Sequence, residues 1–237
     1  MLLEWPKVSV IISTYKRPEM LKRALKSCLN QRYKDFEVLV VDDGSDTAGK
    51  PCEEMLPEFE AAGIRLVAMN LAENSGYQCV PKNVGISYAR GAYIAYLDDD
   101  NEFDPWHLQT LVDDIEKMGT DAVYSRWRYR GEGPTDEYDT PFYAMNKASA
   151  KGLTQGPMFN FVDTSSILHS KAAFVGVFGE NIWNQEARRF GDWELVARSI
   201  TDGLRWRGVD KVTFTYWWHG ENLQITRPAG SSVEVSR

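Results

Sequence analysis

The chain is poor in the residues that build disulfide frameworks or cysteine-metal sites, and it has no long hydrophobic run. Of its 237 residues, 3 are cysteines, without a CxxC spacing, and 3 are histidines. Its longest apolar runs have the length of one strand, far short of the ~20 residues that a transmembrane helix needs. These shortages exclude a disulfide-stapled domain and a membrane-spanning segment. They favour free, buried thiols in a reducing cytoplasm, which is the expected location.

Positive charge is in the minority, since 27 Lys and Arg stand against 34 Asp and Glu, for a formal net charge of -7. Nucleic-acid backbones are bound through clustered Lys and Arg, so a nucleic acid is not an expected partner. The N-terminus has no basic stretch followed by an apolar one, and we therefore expect no secretory signal. The acidic balance does suit a protein that recruits a divalent cation.

The first 125 residues alternate short β-branched or aromatic runs with longer stretches of helical periodicity. This alternation is typical of βαβ units and predicts an α/β fold with a mostly parallel sheet. The predicted strands lie near 7–13, 36–42, 64–69, 92–97 and 121–126. The predicted helices lie near 18–30, 51–62, 79–90 and 105–118.

The pattern changes after residue 126. Glycines and prolines punctuate residues 127–160, which predicts a long loop, and loops of that length in compact domains are usually functional. Beyond it the sequence predicts four further elements: a strand at 160–168, helices near 170–177 and 192–202, and a strand near 211–218. The serine-rich end, residues 227–237, is expected to be a flexible tail.

Three consecutive carboxylates, Asp98, Asp99 and Asp100, follow the predicted strand near 92–97. Like charges ~5 Å apart repel by about 3 kcal/mol per pair at an effective dielectric constant near ~20, so this run favours a bound cation or a proton. If the chain stays extended there, Asp98 and Asp100 point to one face and Asp99 to the other. Hard oxygen ligands with room for water and phosphate oxygens predict a Mg²⁺ or Mn²⁺ site.

Two acidic segments also have a structural interpretation, which the sequence leaves open. The Asp98–Asp100 run could be a solvated turn before a helix opened by Pro105, with Asp104 as its N-cap. The segment Asp42-Asp43-Gly44-Ser45 follows another predicted strand, where Asp-Gly is first of all a turn. Ligands of open α/β sheets nevertheless bind beyond the carboxyl ends of the strands, and both segments lie there.

Five segments together resemble the inverting glycosyltransferases of the GT-A fold, the large family 2 type. The last segment matches that family's DxD motif, and the five occur in the family's order at Val8–Arg17, Phe36–Ser45, Asn74–Gly76, Lys82–Ile86 and Gly91–Asn101. The resemblance covers residues 1–125 well and residues 160–220 more loosely. It implies a single GT-A domain over 1–226, with a nucleotide-sugar-binding half (1–125) and an acceptor and catalytic-base half (126–226).

The resemblance also implies which residues bind a nucleotide-diphospho-sugar donor, with UDP as the favoured nucleotide. The base and ribose would be held by Ser13, Thr14, Tyr15, Asp42 and Asp43. Asp99 would lie near the ribose or the donor sugar, and Lys82 could reach a phosphate or a sugar hydroxyl. As an alternative, Lys82 could be a solvated lysine on a helix. The family often has Arg at that place.

A divalent metal, Mn²⁺ or Mg²⁺, is implied as the cofactor that bridges the donor diphosphate. Asp100 would ligate it, and Asp98 and His219 are further candidate ligands. Asp98 could instead contact the donor, and His219, which follows two tryptophans, could instead be a packed histidine.

The catalytic base is implied to be Asp192, at the start of the helix near 192–202, with Glu194 in reserve. The base would take the proton of the acceptor hydroxyl. An N-capping role for Asp192 is the structural alternative and is compatible with the first. Asp163, Trp193 and Glu194 are candidate contacts to the sugar or the acceptor, although Asp163 could be structural and most such tryptophans are core residues.

Two other functions stay open at this point. A nucleotidyltransferase that forms sugar nucleotides has a similar sheet, but it normally opens its first strand into a Gly-rich loop, and Ser13–Arg17 contains no glycine. A non-catalytic binder of sugar nucleotides would keep the nucleotide motifs and lose the base. The acceptor hydroxyl and the oligomeric state are not readable from the sequence.

Overall fold

A computed structural model describes residues 5–131, 137–140, 161–187 and 191–219. Within these ranges one sheet contains nine strands: β1 (Val8–Thr14), β2 (Phe36–Asp42), β3 (Arg65–Asn70), β4 (Tyr93–Tyr96), β5 (Glu102–Phe103), β6 (Ala122–Arg130), β7 (Glu137–Asp139), β8 (Ile167–Ser170) and β9 (Trp206–Trp217). The helices are α1 (Pro18–Leu29), α2 (Gly49–Ala61), α3 (Cys79–Tyr88), α4 (His107–Met118), α5 (Lys171–Phe178) and α6 (Gly191–Thr201). A 3₁₀ turn spans Thr164–Ser166.

The strands lie in the order β3-β2-β1-β4-β8-β6-β9-β5, and β7 pairs with β6. The first four are parallel to one another, with Val8 paired to both Phe36 and Tyr93, so that β1, β2 and β4 run side by side. β8 is antiparallel to β4 and to β6. Because of this reversal, the segment that enters β8 lies beside the end of β4. The two halves implied by the sequence therefore share one sheet.

The core lies on both faces of this sheet. β1 and β2 are buried along nearly their whole length, as expected for central parallel strands covered on both sides. One face packs against buried side chains of α1, α2 and α4, and the other against those of α3, α5 and α6. The three cysteines are buried and form no disulfide, which confirms their interpretation as thiols, and burial raises the pKa of Cys28 and Cys52 to about 12.

The predicted α/β fold and most of its elements are confirmed, with three corrections. β9 begins at Trp206, five residues before the predicted start. The predicted strand at 160–168 is instead the turn at 164–166 followed by β8, because the Asp163 carboxylate accepts the Ser165 N–H at 2.8 Å and bends the chain. The predicted loop at 127–160 begins with the end of β6 and contains β7, which pair with each other. Residues 132–136 and 141–160 of that loop lie outside the described residues, as does the tail at 227–237.

Asp104 is not the side-chain cap of α4, which begins two residues later than predicted, at His107. Instead the side chain of Gln31, two residues after α1, holds the start of α4. Its Nε2 donates to the Asp104 carbonyl at 2.8 Å, and its Oε1 accepts from the Leu108 N–H at 3.1 Å. Among the described residues, no helix has both the length and the apolar character that crossing a bilayer would require.

Candidate active site

The candidate site lies where the carboxyl ends of β1, β2 and β4 meet the segments that enter β8 and leave β9. β4 ends at Tyr96, and the following residues form a turn in which the Asn101 N–H donates to the Asp98 carbonyl at 3.0 Å. The chain is therefore not extended through the acidic run. The predicted alternation of its side chains is wrong: Asp98 faces Lys82, and Asp99 and Asp100 share a contact with Arg17.

Asp99 is held between two donors and is almost fully buried. Thr14 Oγ1 donates to Asp99 Oδ2 at 2.7 Å, and Arg17 Nη1 donates to Asp99 Oδ1 at 3.2 Å. Burial and the neighbouring Asp100 carboxylate together raise the pKa of Asp99 to about 6. The carboxyl group of Asp99 thus takes up a proton at a higher pH than an ordinary aspartate, even with Arg17 beside it.

Asp100 has a cation and an imidazole on the same oxygen. Arg17 Nη1 and His219 Nε2 each lie 3.0 Å from Asp100 Oδ2. The structure thus brings together Asp100 and His219, two of the candidate metal ligands. The pairing of β5 with β9 explains this contact, because Glu102 is paired with Thr215 and the residues beyond each strand end are therefore close.

The donor set fits a divalent cation only if other ligands contribute. Asp100 offers a carboxylate and His219 an imidazole, a combination that suits Mn²⁺, and Mg²⁺ or Mn²⁺ beside a diphosphate typically takes few protein ligands. In the described part of the chain, no group of three or more His, Cys, Asp or Glu side chains is arranged to hold a metal ion. Phosphate oxygens and water would have to complete the coordination.

Lys82 is completely buried, so its interpretation as a solvated helix lysine is wrong. Its Nζ donates to Asp98 Oδ1 at 3.1 Å and to Gln78 Oε1, with Thr164 Oγ1 at 3.5 Å. The ammonium group also lies 4.5 Å from the ring centroid of Trp183. The ammonium group of Lys82 forms an ion pair with Asp98. A contact between Lys82 and a phosphate or a sugar hydroxyl stays a prediction.

Asp163 lies on the other side of Asp98. Its Oδ1 accepts from the Ser165 N–H, and Ser165 Oγ in turn accepts from the Asp98 N–H at 3.1 Å and from Asn101 Nδ2 at 2.9 Å. Burial, followed by the carboxylates of Asp98 and Asp192, raises the pKa of Asp163 well above its ordinary value. The acidic turn after β4 and the start of α6 therefore act on the same carboxyl group.

Asp192 is the second residue of α6, and its Oδ1 accepts from the Trp193 N–H at 2.7 Å. The indole of Trp193 packs edge-on against Phe161, with ring centroids 5.2 Å apart. Glu194 Oε1 accepts from Arg198 Nε at 2.9 Å and from Asn184 Nδ2 at 3.3 Å. Glu194 Oε1 is thus tied to its own helix and to the preceding segment, and the role of Asp192 as the base stays a prediction.

The loop after β2 is built around Asp42. Burial acts to raise the pKa of Asp42, but hydrogen bonds from the Ser45 hydroxyl and from the N–H groups of Ser45, Thr47 and Ala48 lower it below its ordinary value. The turn interpretation of this segment is thus confirmed for Asp42. Gly44 has a φ of +77°, and a Cβ there would lie 2.5 Å from the backbone of Glu73, so only glycine fits.

Asp43 points to a different part of the site from Asp42. Its Oδ1 accepts from the Ser75 N–H at 3.0 Å, and its Oδ2 accepts from Asn74 Nδ2 at 3.2 Å. Tyr15, just after β1, is 39% exposed, with Lys16 Nζ 4.9 Å from its ring centroid, and Ser13 is half-buried. The nucleotide-binding roles of these residues stay predictions.

Sequence reasoning missed several residues that hold the site together. Arg17 lies inside the first motif, but its contact with two carboxylates more than 80 positions away has no local signal. Ser165 and Thr164 were seen only as part of a strand, and Gln78 was not singled out. The two anchors of Asp43, Asn74 and Ser75, do lie in a segment that the resemblance includes.

Comparison with known proteins places this site in a family. The sequence profile of Glycosyl transferase family 2 matches residues 9–175. The chain is 25% identical over 224 residues to the putative colanic acid biosynthesis glycosyl transferase WcaA of Escherichia coli, covering 93% of this chain and 76% of that protein. It is 30% identical over 129 residues to the poly(ribitol-phosphate) beta-N-acetylglucosaminyltransferase TarP of Staphylococcus aureus, covering 54% of this chain and 38% of that one.

Solved structures give the same picture at the level of the fold. Staphylococcus aureus TarS superimposes with a TM-score of 0.69 at 19% identity over 90% of this chain and 37% of the TarS chain. The complex of TarS 1-349 with UDP-GlcNAc gives a TM-score of 0.68 at 19% identity, over 91% of this chain and 60% of that one. The GT-A fold predicted from the motifs is thereby confirmed. The family match covers more than half of the chain, which therefore belongs to glycosyl transferase family 2.

Proposed function

We propose that the chain moves a sugar from a nucleotide-diphospho-sugar, with UDP as the favoured nucleotide, to an acceptor hydroxyl, with inversion at the anomeric carbon. One observation carries the proposal: the Glycosyl transferase family 2 profile matches residues 9–175, a range that includes the acidic turn after β4 and Asp163. The carboxylates of Asp98, in that turn, and of Asp192, at the start of α6, are both close enough to Asp163 to interact with it electrostatically, which supports a donor site and a base near one another. The UDP-GlcNAc complex of TarS supports the choice of donor class.

In the proposed reaction, the acceptor oxygen forms a bond to the anomeric carbon while the bond from that carbon to the diphosphate breaks. Asp192 accepts the proton of the acceptor hydroxyl, and the nucleoside diphosphate leaves with the electron pair. Asp43 and Tyr15 hold the nucleoside. Asp163 and Trp193 line the acceptor side, and the acceptor class is open. A single displacement without a covalent intermediate inverts the configuration once.

A divalent cation fits this scheme as a cofactor. Asp100 and His219 would hold it, and when bound it would stabilise the negative charge that develops on the departing diphosphate. Arg17 and Lys82 supply fixed positive charge on either side of the acidic turn.

The test is the change Asp192→Asn, assayed by UDP release from UDP-GlcNAc and UDP-glucose in the presence of Mn²⁺. Asn keeps the Oδ1 that accepts the Trp193 N–H and removes the basic oxygen, so turnover should fall by ~10²–10⁴-fold while donor affinity stays nearly unchanged. Asp202→Asn, which removes an exposed carboxylate just after the other end of α6, is the matched control.

Two outcomes would contradict the proposal. If Asp192→Asn keeps the turnover of the wild type, Asp192 is not the catalytic base. A product whose anomeric configuration, read by NMR, matches that of the donor would overturn the single displacement.

A further inference from the structure

Arg17 contacts Asp99 and Asp100, the second of which is the proposed metal ligand. A single atom, Nη1, lies 3.2 Å from Asp99 Oδ1 and 3.0 Å from Asp100 Oδ2. The arginine is the residue that immediately precedes α1, and 29% of its side chain is exposed, against 7% for Asp99 and 11% for Asp100. The guanidinium group is therefore the more solvent-accessible partner in the contact.

Among the described residues, Arg17 is the only Lys or Arg that forms an ion pair with Asp99 or Asp100. Lys82, the other cation of the site, is directed to Asp98 and fully buried. His219 shares Asp100 Oδ2 with Arg17. Arg17 thus supplies the positive charge that offsets the repulsion between two adjacent buried carboxylates.

We propose that Arg17 is a resident counter-ion that makes metal binding depend on the donor, an inference that rests on the proposed metal-dependent function. While it contacts Asp100 Oδ2, the same oxygen is blocked to a divalent cation by contact and by like charge. A diphosphate offers the guanidinium group an alternative partner with matching geometry. When the diphosphate binds, Arg17 turns to it, and Asp100 Oδ2 becomes available as a metal ligand.

The counter-ion role and a merely structural role of Arg17 predict different changes in Mn²⁺ affinity when its charge is removed. Removing the charge of Arg17 should strengthen the binding of Mn²⁺ to the nucleotide-free protein, because a competing positive charge next to the ligand oxygen disappears. If Arg17 only supported the fold of the acidic turn, its loss would weaken metal binding or leave it unchanged. Coupling is reciprocal, so the same change should also reduce the effect of UDP on Mn²⁺ affinity.

The experiment measures the affinity for Mn²⁺ alone, by the EPR signal of the free ion, with and without UDP. We expect Arg17→Gln to bind Mn²⁺ about tenfold more tightly than the wild type without UDP, and the gain in affinity on adding UDP to fall by about the same factor. Arg17→Lys keeps the charge and should stay within about twofold of the wild type. Lys22→Gln removes one charge from α1 at its exposed pair with Glu54 and is the matched control.

A second pair of variants covers the case in which Arg17→Gln does not fold because Asp99 loses its counter-charge. Asp99→Asn removes that buried charge, and the comparison of Asp99→Asn with the double variant Asp99→Asn, Arg17→Gln then isolates the contact to Asp100. The same tightening of Mn²⁺ binding is expected between these two proteins.

The outcomes separate this inference from the function on which it rests. If the wild type binds Mn²⁺ in the presence of UDP but removal of Arg17 leaves the nucleotide-free affinity equal or weaker, the counter-ion role is wrong and the metal-dependent function stands. If neither protein binds Mn²⁺ with or without UDP, the metal-dependent function fails, and the counter-ion role fails with it.

Discussion

The loop after β2 and the turn after β4 both place carboxylates at the ends of buried parallel strands, yet they treat the charge in opposite ways. Hydrogen bonds from its own loop lower the pKa of Asp42 despite its burial, whereas burial and a neighbouring carboxylate raise the pKa of Asp99 to about 6. A carboxylate that accepts hydrogen bonds from backbone N–H groups stabilises the local fold. One held by an arginine side chain and a hydroxyl can exchange its partner for a cation.

The strongest test of this contrast is Asp100→Asn. Because we assign Asp100 to the metal, the change should lower Mn²⁺-dependent UDP release by about 10³-fold or more, with little change in the thermal unfolding midpoint. Asp46→Asn, which removes an exposed carboxylate from the loop after β2, is the control and should keep full turnover. Equal loss in both variants would show that the two regions do not differ as described.

The change Lys82→Met tests how much the stability of the turn after β4 depends on the buried ammonium group of Lys82. The change leaves Asp98 without its ion pair beside Asp163, and we expect the free energy of unfolding in urea to fall by about 3 kcal/mol. Lys50→Met, at an 85% exposed lysine of α2, should leave stability unchanged.

A double variant sharpens the interpretation of Lys82. Lys82→Met with Asp98→Asn removes both charges and should recover part of the lost stability, since the cost comes from the unpaired carboxylate. A double variant less stable than Lys82→Met would contradict this account.

Asp42→Asn should have the smallest effect, about 1–2 kcal/mol of stability, because the amide group turns N–H donors toward the Thr47 and Ala48 N–H groups. The folded-state pKa of Asp42 lies below its ordinary value of 3.8, so its contribution is fully present above about pH 4 and is lost as the pH falls through the folded-state value. The stability gap between wild type and variant should therefore be constant from pH 7 to 5 and narrow below about pH 4. A gap that widens in acid would reverse the sign assigned to Asp42.

Much of the fold was predictable because its signals are local. The alternation of buried runs and amphipathic stretches located β1 to β4 and α1 to α4 within a few residues, and α5 and α6 as well. Two of the errors occurred where a distant partner decides the local structure. α4 starts at His107 because Gln31 holds its entry, and β9 starts at Trp206 because it pairs there with Ala122 of β6.

The candidate site residues could be named from the sequence, but their pairings could not. The acidic run, Asp43 and Asp192 follow from motifs, because each motif is a short segment at a strand end or a helix start. The motifs did not predict that Asp98 pairs with Lys82 while Asp99 and Asp100 pair with Arg17. These pairings require a turn where an extended chain was expected. For Asp42 the sequence offered both a ligand-binding role and a turn, and its hydrogen bonds showed its part in the loop.

By itself, the sequence determined the family and the parallel βαβ half and supplied the carboxylates proposed as metal ligand and base, since periodicity and motifs are properties of short segments. The tertiary structure decided which charges meet. Arg17 and Asp99 are 82 positions apart, and Asp100 and His219 are 119 apart. These contacts exist because β1 lies parallel beside β4 and β9 returns beside β5. Strand order and direction arise from the packing of the whole sheet, and no spacing within the sequence encodes them.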